Sequence, residues 1–344
     1  SLKLSKADRK ANEIPPNKYH EQMWELSIDP IVGRPMIEKL YKLQEEQQKN
    51  RMNAARKTLV PGESAEMAWK ERGPNNVGGR TRAVLFLSAT KVLAAGISGG
   101  LWIADDITSA NPGWEPIVDF FSNSINISTL AQHPDSLGVL YAGTGEAFGS
   151  AHRGSGIYKS IDTGQSWNLI SSTSASNSDD FTYVAKILVS KKGHVYAATK
   201  SIYCNLGGLM RSTNNGASWS RVVGTYTGGG CQNAFDFNGA DVEENHTGDL
   251  FYASGVSNGH IFRSDSGTNV GDLGNWTDIT PSGTWGRIEI GVSQKAGSEV
   301  IYAACEGNSS NDVTGIYYST NNGANWTSRT VPTICDQGGN SPYT

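Results

Sequence analysis

Gly156-Ile157-Tyr158-Lys159-Ser160-Ile161-Asp162-Thr163-Gly164-Gln165-Ser166-Trp167 decides the fold of this chain, because the stretch returns. It comes back as Gly208-Leu209-Met210-Arg211-Ser212-Thr213-Asn214-Asn215-Gly216-Ala217-Ser218-Trp219, and again as Gly315-Ile316-Tyr317-Tyr318-Ser319-Thr320-Asn321-Asn322-Gly323-Ala324-Asn325-Trp326. A stretched copy opens at His260-Ile261-Phe262-Arg263-Ser264-Asp265-Ser266-Gly267 and reaches Trp276 only after an insertion. Gly100-Leu101-Trp102-Ile103-Ala104-Asp105, leading to Trp114, is a degenerate first copy. The leading serines stand at 160, 212, 264 and 319, so one unit recurs every 52–55 residues.

A second pattern keeps the same beat. Leu140-Tyr141-Ala142, Val195-Tyr196-Ala197, Phe251-Tyr252-Ala253 and Ile301-Tyr302-Ala303 each precede one of these serine turns, and Val92-Leu93-Ala94 fits as the first copy. Further upstream lie the apolar segments Ala83–Leu87, Ile127–Ala131, Val184–Val189, Ala240–Val242 and Ile288–Val292. Each period therefore offers an inner strand, a Tyr-Ala strand, a third strand ending at the serine and a fourth beginning at the tryptophan. Four antiparallel strands per ~40–55 residues are the mark of a propeller blade. The expected fold is an all-β propeller with five blades visible.

The turn chemistry explains the residue types. A serine and an Asp or Asn two positions apart can hydrogen-bond the turn's own backbone N–H groups. The glycine supplies a backbone conformation with positive φ. The tryptophan buries a large ring between neighbouring sheets, where its indole N–H still needs a partner. Ser160, Asp162, Gly164 and Trp167 hold these places in the fullest copy. Ser212, Asn214, Gly216 and Trp219, then Ser264, then Ser319, Asn321, Gly323 and Trp326 hold them later.

These residues resemble the Asp-box (BNR) repeat, Ser-x-Asp-x-Gly-x-Ser/Thr-Trp, over roughly residues 69–335. Asp162 completes the motif, whereas Asn214 and Asn321 replace its aspartate. Trp69-Lys70-Glu71-Arg72-Gly73-Pro74-Asn75-Asn76-Val77-Gly78-Gly79-Arg80 and Gly143-Thr144-Gly145-Glu146 are similar to segments of secreted sortilin-type propellers of Bacteroidota. Sialidases, xyloglucanases, sortilin-like receptors and a photosystem assembly factor share the repeat, so the resemblance implies a fold without selecting a function. Such families close with six or more blades. Cys335 to Thr344 reads as the start of another, and the natural chain is expected to continue past Thr344.

Composition bounds the rest. A chain of 344 residues exceeds the usual size of one simple core, as a repeat architecture allows. Its 40 glycines argue for many turns and against an all-helical protein. A net charge of -4 gives no reason to propose nucleic acid as a partner. No apolar run is long enough to be a transmembrane segment. Residues 1–60 differ in character: they hold 12 Lys+Arg against 8 Asp+Glu and little glycine. After Pro35, the residues Met36, Ile37, Leu40, Tyr41 and Leu43 predict one amphipathic helix. The expected division is a helical extension over 1–60 and a propeller over 61–344.

The four cysteines fall in matched places. Cys204 and Cys305 follow the second strand of their blades, and Cys231 and Cys335 follow the fourth. Those loops emerge on the face opposite the serine turns, which makes Cys204–Cys231 and Cys305–Cys335 sensible bridges. Four cysteines allow three pairings, and buried free thiols are the alternative. Bridges imply an oxidising compartment and hence export to the extracellular space or cell surface. No metal site and no cofactor are expected, since CxxC, paired-His and phosphate-loop spacings are missing.

Candidates for chemistry are few. Gly96-Ile97-Ser98-Gly99-Gly100 and Gly255-Val256-Ser257-Asn258-Gly259 match Gly-x-Ser-x-Gly, yet each follows a second strand where the repeat already explains it. The loops opposite the serine turns carry Glu146, His152 and Arg153 together, with Glu306 in the fifth blade and Asp119, Asp179, Asp180 and Asp336 between blades. Two carboxylates ~5–10 Å apart across such a mouth could hydrolyse a glycoside. Glu146, Glu306, Asp119 and Asp336 are the catalytic candidates. Arg80, Arg82 and Arg287 precede inner strands, and with His152 and Arg153 they are the candidates for holding a ligand.

The sequence favours a secreted binding module for a protein or glycan over an enzyme, because no catalytic constellation stands out from the scaffold. The alternatives are a carbohydrate-active enzyme using those carboxylates, and a structural subunit of an extracellular assembly that self-associates through the N-terminal helix.

Overall fold

The computed structural model describes Glu46 and residues 80–331, apart from 111, 118–125, 147–151, 176–178, 201–206, 225–237, 256–257 and 308–311. The chain divides into two compact units, Ser1–Glu66 and Met67–Thr344. Of the first unit only Glu46 is described, exposed and helical. The rest of the helix expected after Pro35 lies outside the described residues.

The second unit is built of five four-stranded antiparallel sheets, each formed by four consecutive strands. The first holds β1 (Thr81–Phe86), β2 (Val92–Gly96), β3 (Gly100–Ala104) and β4 (Glu115–Pro116). The second holds β5 (Ile127–Gln132), β6 (Leu140–Thr144), β7 (Ile157–Ser160) and β8 (Asn168–Leu169). The third holds β9 (Tyr183–Val189), β10 (Val195–Lys200), β11 (Gly208–Ser212) and β12 (Ser220–Val223). The fourth holds β13 (Gly239–Glu244), β14 (Leu250–Ser254), β15 (Ile261–Ser264) and β16 (Thr277–Asp278). The fifth holds β17 (Trp285–Val292), β18 (Ile301–Gly307), β19 (Val313–Ser319) and β20 (Thr327–Arg329). The first strands β1, β5, β9, β13 and β17 lie side by side in chain order. This is the arrangement of blades in a β-propeller.

Alternation along each strand sends one set of side chains to the preceding blade and the other to the next. Leu93 and Ala95 meet Leu140, Ala142 and Tyr158 between blades one and two. Tyr141 and Ile157 meet Val195, Ala197 and Met210 between two and three. Tyr196 and Leu209 meet Val242, Leu250 and Tyr252 between three and four. Phe251, Ala253 and Ile261 meet Ile288, Ile301, Ala303 and Cys305 between four and five. The core is thus four copies of one interface.

Register corrects the sequence alignment in the fourth blade. Leu140, Val195 and Ile301 lie opposite the turn serines Ser160, Ser212 and Ser319, and in blade four it is Leu250 that faces Ser264. Phe251, rather than Tyr252, therefore takes the place of Tyr141 and Tyr196. One residue of slip exchanges the two faces of a strand, and only pairing reveals it.

Each serine turn is held by its own side chains. Gly164 N–H donates to Ser160 Oγ at 2.9 Å, Ser160 Oγ donates to Asp162 Oδ1 at 2.8 Å, and Ser166 N–H donates to Asp162 Oδ1 at 2.9 Å. The same bonds join Ser212, Asn214 and Gly216, and Ser319, Asn321 and Gly323. In the stretched copy Gly271 N–H reaches Ser264 Oγ at 2.8 Å, so the insertion moves the glycine role from Gly267 to Gly271. Gly216 has φ +92°, and a Cβ there would stand 2.7 Å from Ile170 Cδ1 of the preceding blade. Two constraints thus converge on one glycine. Trp167 Nε1 donates to Gly164 O and Trp326 Nε1 to Ile279 O, whereas the buried Nε1 atoms of Trp219 and Trp276 have no partner among the described residues.

The hydroxyl of Ser166, then its backbone N–H, with help from Ser160 and Gln165, hold Asp162 down to about 2. A depressed carboxylate stabilises the fold fully above its unfolded value near 3.8 and loses that contribution as pH falls towards 2. Asp162→Asn, which copies Asn214 and Asn321, is expected to flatten the fall in melting temperature between pH 4 and pH 2. Melting curves at half-unit steps check this; equal slopes for both proteins contradict it.

Candidate functional site

Every inner strand is irregular at the same place. Pairing with the second strand shifts between Thr81 and Ala83, between Ile127 and Thr129, and between Gly239 and Asp241. It also shifts between Val184 and Lys186 and between Trp285 and Ile288. Such bulges turn the extra residue out of the ladder and re-aim its side chain. The residues freed in this way, Arg82, Ser128, Ala185, Ala240 and Arg287, all line one cavity of about 270 Å³. Lys186, Asp241 and Glu289 line it as well. All five blades contribute, so this is the central channel.

Its polar groups are tied to the walls and to one another. Thr129 Oγ1 accepts from Ile187 N–H at 3.1 Å, and Asp241 Oδ2 from Ile290 N–H at 3.3 Å, each joining a blade to the next. Lys186 Nζ lies 3.2 Å from Asp241 Oδ1 and 3.0 Å from Glu243 Oε1. Burial opposes the Lys186 charge, but the Asp241 and Glu243 carboxylates outweigh it and raise the ammonium above its ordinary value. Burial, reinforced by Asp241, raises both Glu243 and Glu289. Arg287 Nε donates to Glu289 Oε1 at 2.7 Å.

The sequence candidates fall into two groups. Glu146 is buried, Arg80 Nη2 donates to its Oε2, and Arg82 Nη2 lies 3.7 Å from its Oε1. The structure thus joins one of the candidate carboxylates, in the loop after β6, to two of the candidate ligand-holding arginines, Arg82 in β1 and Arg80 just before it. Glu306 Oε2 accepts from Arg287 N–H at 3.2 Å. Arg153 Nη2 lies 3.3 Å from Asp179 Oδ1, and Arg221 Nη2 lies 2.6 Å from Asp180 Oδ1. His152 is exposed, and its carbonyl accepts from Glu146 N–H. Asp119, Asp336, Cys204, Cys231 and Cys335 lie outside the described residues. Cys305 lies within β18 and faces blade four as a buried free thiol, pushed up to about 12 by burial. Neither expected bridge has both sulfurs described.

Gly96-Ile97-Ser98-Gly99-Gly100 forms the hairpin between β2 and β3, with Gly96 opposite Gly100. A nucleophile elbow needs a helix after the serine, and a strand follows here. Sequence reading did not assign Lys186, Asp241 or Glu289 to the channel, although a signal was present: each is a charge inside an inner strand. No helix among the described residues is long and apolar enough to cross a membrane.

No family model matches the chain. No curated protein matches it. Solved structures do. An ancestral GH74 enzyme is 17% identical over 75% of this chain and 34% of its own, with a TM-score of 0.52. The Niastella koreensis GH74 enzyme is 19% identical over 73% of this chain and 37% of its own, with a TM-score of 0.49. PorZ, an essential surface component of the type-IX secretion system of Porphyromonas gingivalis, is 16% identical over 73% of this chain and 28% of its own, with a TM-score of 0.46. The chain spans 34% and 37% of the two GH74 enzymes, and the likeness to the first is one of fold.

Proposed function

We propose that this chain is an Asp-box β-propeller of the secreted or cell-surface kind that binds a protein or glycan at the channel and on the loops opposite the serine turns. The observation that carries the reading is the state of Glu146. This carboxylate, one of the four catalytic candidates, is buried against Arg80 and Arg82, where it fastens blade two to blade one. Glu306 accepts from the backbone N–H of Arg287, whose guanidinium pairs with Glu289 instead. A glycosidase needs two carboxyl groups free to reach the same glycosidic bond. The channel instead supplies fixed donors and acceptors, which suits recognition of a polar ligand. Secretion rests on the Asp-box resemblance and on the Cys204–Cys231 pairing, which belongs to the same proposal; Cys305, a buried free thiol, does not support the second bridge.

The test is a screen of the wild-type chain against arrays of glycans and of secreted proteins. Saturable binding is expected, weakened more than tenfold by His152→Ala on the loop face and unchanged by Gln165→Ala on the serine-turn face. No saturable binding in either array, or equal loss in both variants, overturns the reading.

A further inference from the structure

The serine turns of blades three and five each lend an asparagine to the blade before. Tyr141 OH donates to Asn215 Oδ1 at 3.3 Å, and Asn322 Nδ2 donates to Asp249 Oδ2 at 3.1 Å. In blade four the insertion puts Val270, which has no such group, before the turn glycine Gly271. Tyr196 is the counterpart of Tyr141, and its hydroxyl has no hydrogen-bond partner among the described residues. Burial raises that hydroxyl above its ordinary value, so it keeps its proton. The nearby Arg211 guanidinium opposes the rise but is held by Asp272 and is not aligned to donate to Tyr196.

The inserted residues also wall a cavity of about 510 Å³ between blades three and four, on the serine-turn face. Tyr196, Leu250 and Val270 form its apolar floor and are 0%, 1% and 6% exposed. Ser190, after β9, lines it as well; it is 3% exposed, and its Oγ has no partner among the described residues. Two buried hydroxyls without partners are costly unless something fills the space and accepts from them. The charged groups of the rim are already engaged. Lys191 Nζ donates to Asn245 O and His246 O at 2.8 Å, Lys192 Nζ donates to Gly267 O, and Glu244 Oε2 accepts from Lys191 N–H at 2.8 Å.

A cavity of this size falls in the ~300–1,000 Å³ range of small-molecule sites. We propose that it is a second binding site, for a small uncharged molecule with an apolar body and a carbonyl oxygen that accepts from the Tyr196 and Ser190 hydroxyls. An apolar floor with a few fixed donors suits such a ligand, and the engaged lysines leave an anion little to gain. Ordered water is the competing occupant.

Titrating the 344-residue chain with acetophenone, ethylbenzene and benzoate, read on the NMR methyl signals of Leu250 and Val270, separates the two. Acetophenone is expected to shift these signals saturably and to bind more tightly than benzoate. Tyr196→Phe and Ser190→Ala are each expected to weaken acetophenone about fivefold, the worth of one hydrogen bond, and to leave ethylbenzene unchanged. Replacing residues 265–275 with the sequence of residues 213–218, which restores the short turn and its asparagine, is expected to abolish the Leu250 shift. No saturable shift with acetophenone, as for a cavity that holds only water, overturns the proposal. So does tighter binding of benzoate, unchanged acetophenone affinity in either point variant, or binding that survives the shortened turn. The channel and the loop face are untouched by these variants, so failure here is distinct from failure of the proposed function.

Discussion

Phe251→Ala is expected to lower the unfolding free energy by about 3–5 kcal/mol. The ring is wholly buried between blades four and five, against Ile288, Ile301 and Cys305. Its loss removes the transfer energy of an aromatic side chain and leaves a void that paired strands cannot collapse to fill. In a unit of this size the melting temperature falls by roughly 6–15 °C. Tyr302→Ala removes the side chain of the equivalent position one blade later, and in the 344-residue chain it costs under about 1 kcal/mol because water already reaches that ring. Urea denaturation of the two variants checks the pair. Similar losses in both contradict the interface account.

Asp241→Ala is expected to cost about 2–4 kcal/mol, combining a broken ion pair with a stranded backbone donor. The carboxylate satisfies Ile290 N–H of the next blade and also holds Lys186. Without it the N–H has no acceptor from this side chain, and Lys186 keeps only Glu243. Lys186 retains some contact with channel water, which holds the cost below that of a fully buried pair. Asp241→Asn preserves an acceptor and loses only the charge, so about 1 kcal/mol is expected. Thermal melts of the two variants check the order; a larger loss in Asp241→Asn contradicts it.

The fold was legible because its signal is local and repeated. A Ser-x-Asp/Asn turn with its glycine and tryptophan needs only its own residues to form, so three full copies announce themselves and two altered ones fall in step with them. Blade four was misaligned because Phe251 and Tyr252 are adjacent aromatics, and local pattern does not say which of them faces which neighbour. The inner-strand bulges were invisible, since the freed residue is Arg82, Ser128, Ala185, Ala240 or Arg287, with no shared chemistry. Glu146 read as a free carboxylate because Arg80, which engages it, lies 66 residues away. Cys305 was placed in a loop because nothing in the sequence marks how far β18 runs past Tyr302.

The central claim is that the acidic groups of the loop face serve the scaffold, leaving the channel to bind rather than to hydrolyse. Assaying wild type and Glu146→Gln on a panel of polysaccharides, with melting temperatures taken on the same samples, tests it most directly. The account predicts no cleavage by either protein and a loss of about 1–2 kcal/mol in the variant, discounted because Arg80 and Arg82 are partly solvated. Cleavage by the wild type that disappears in Glu146→Gln at an unchanged melting temperature contradicts it.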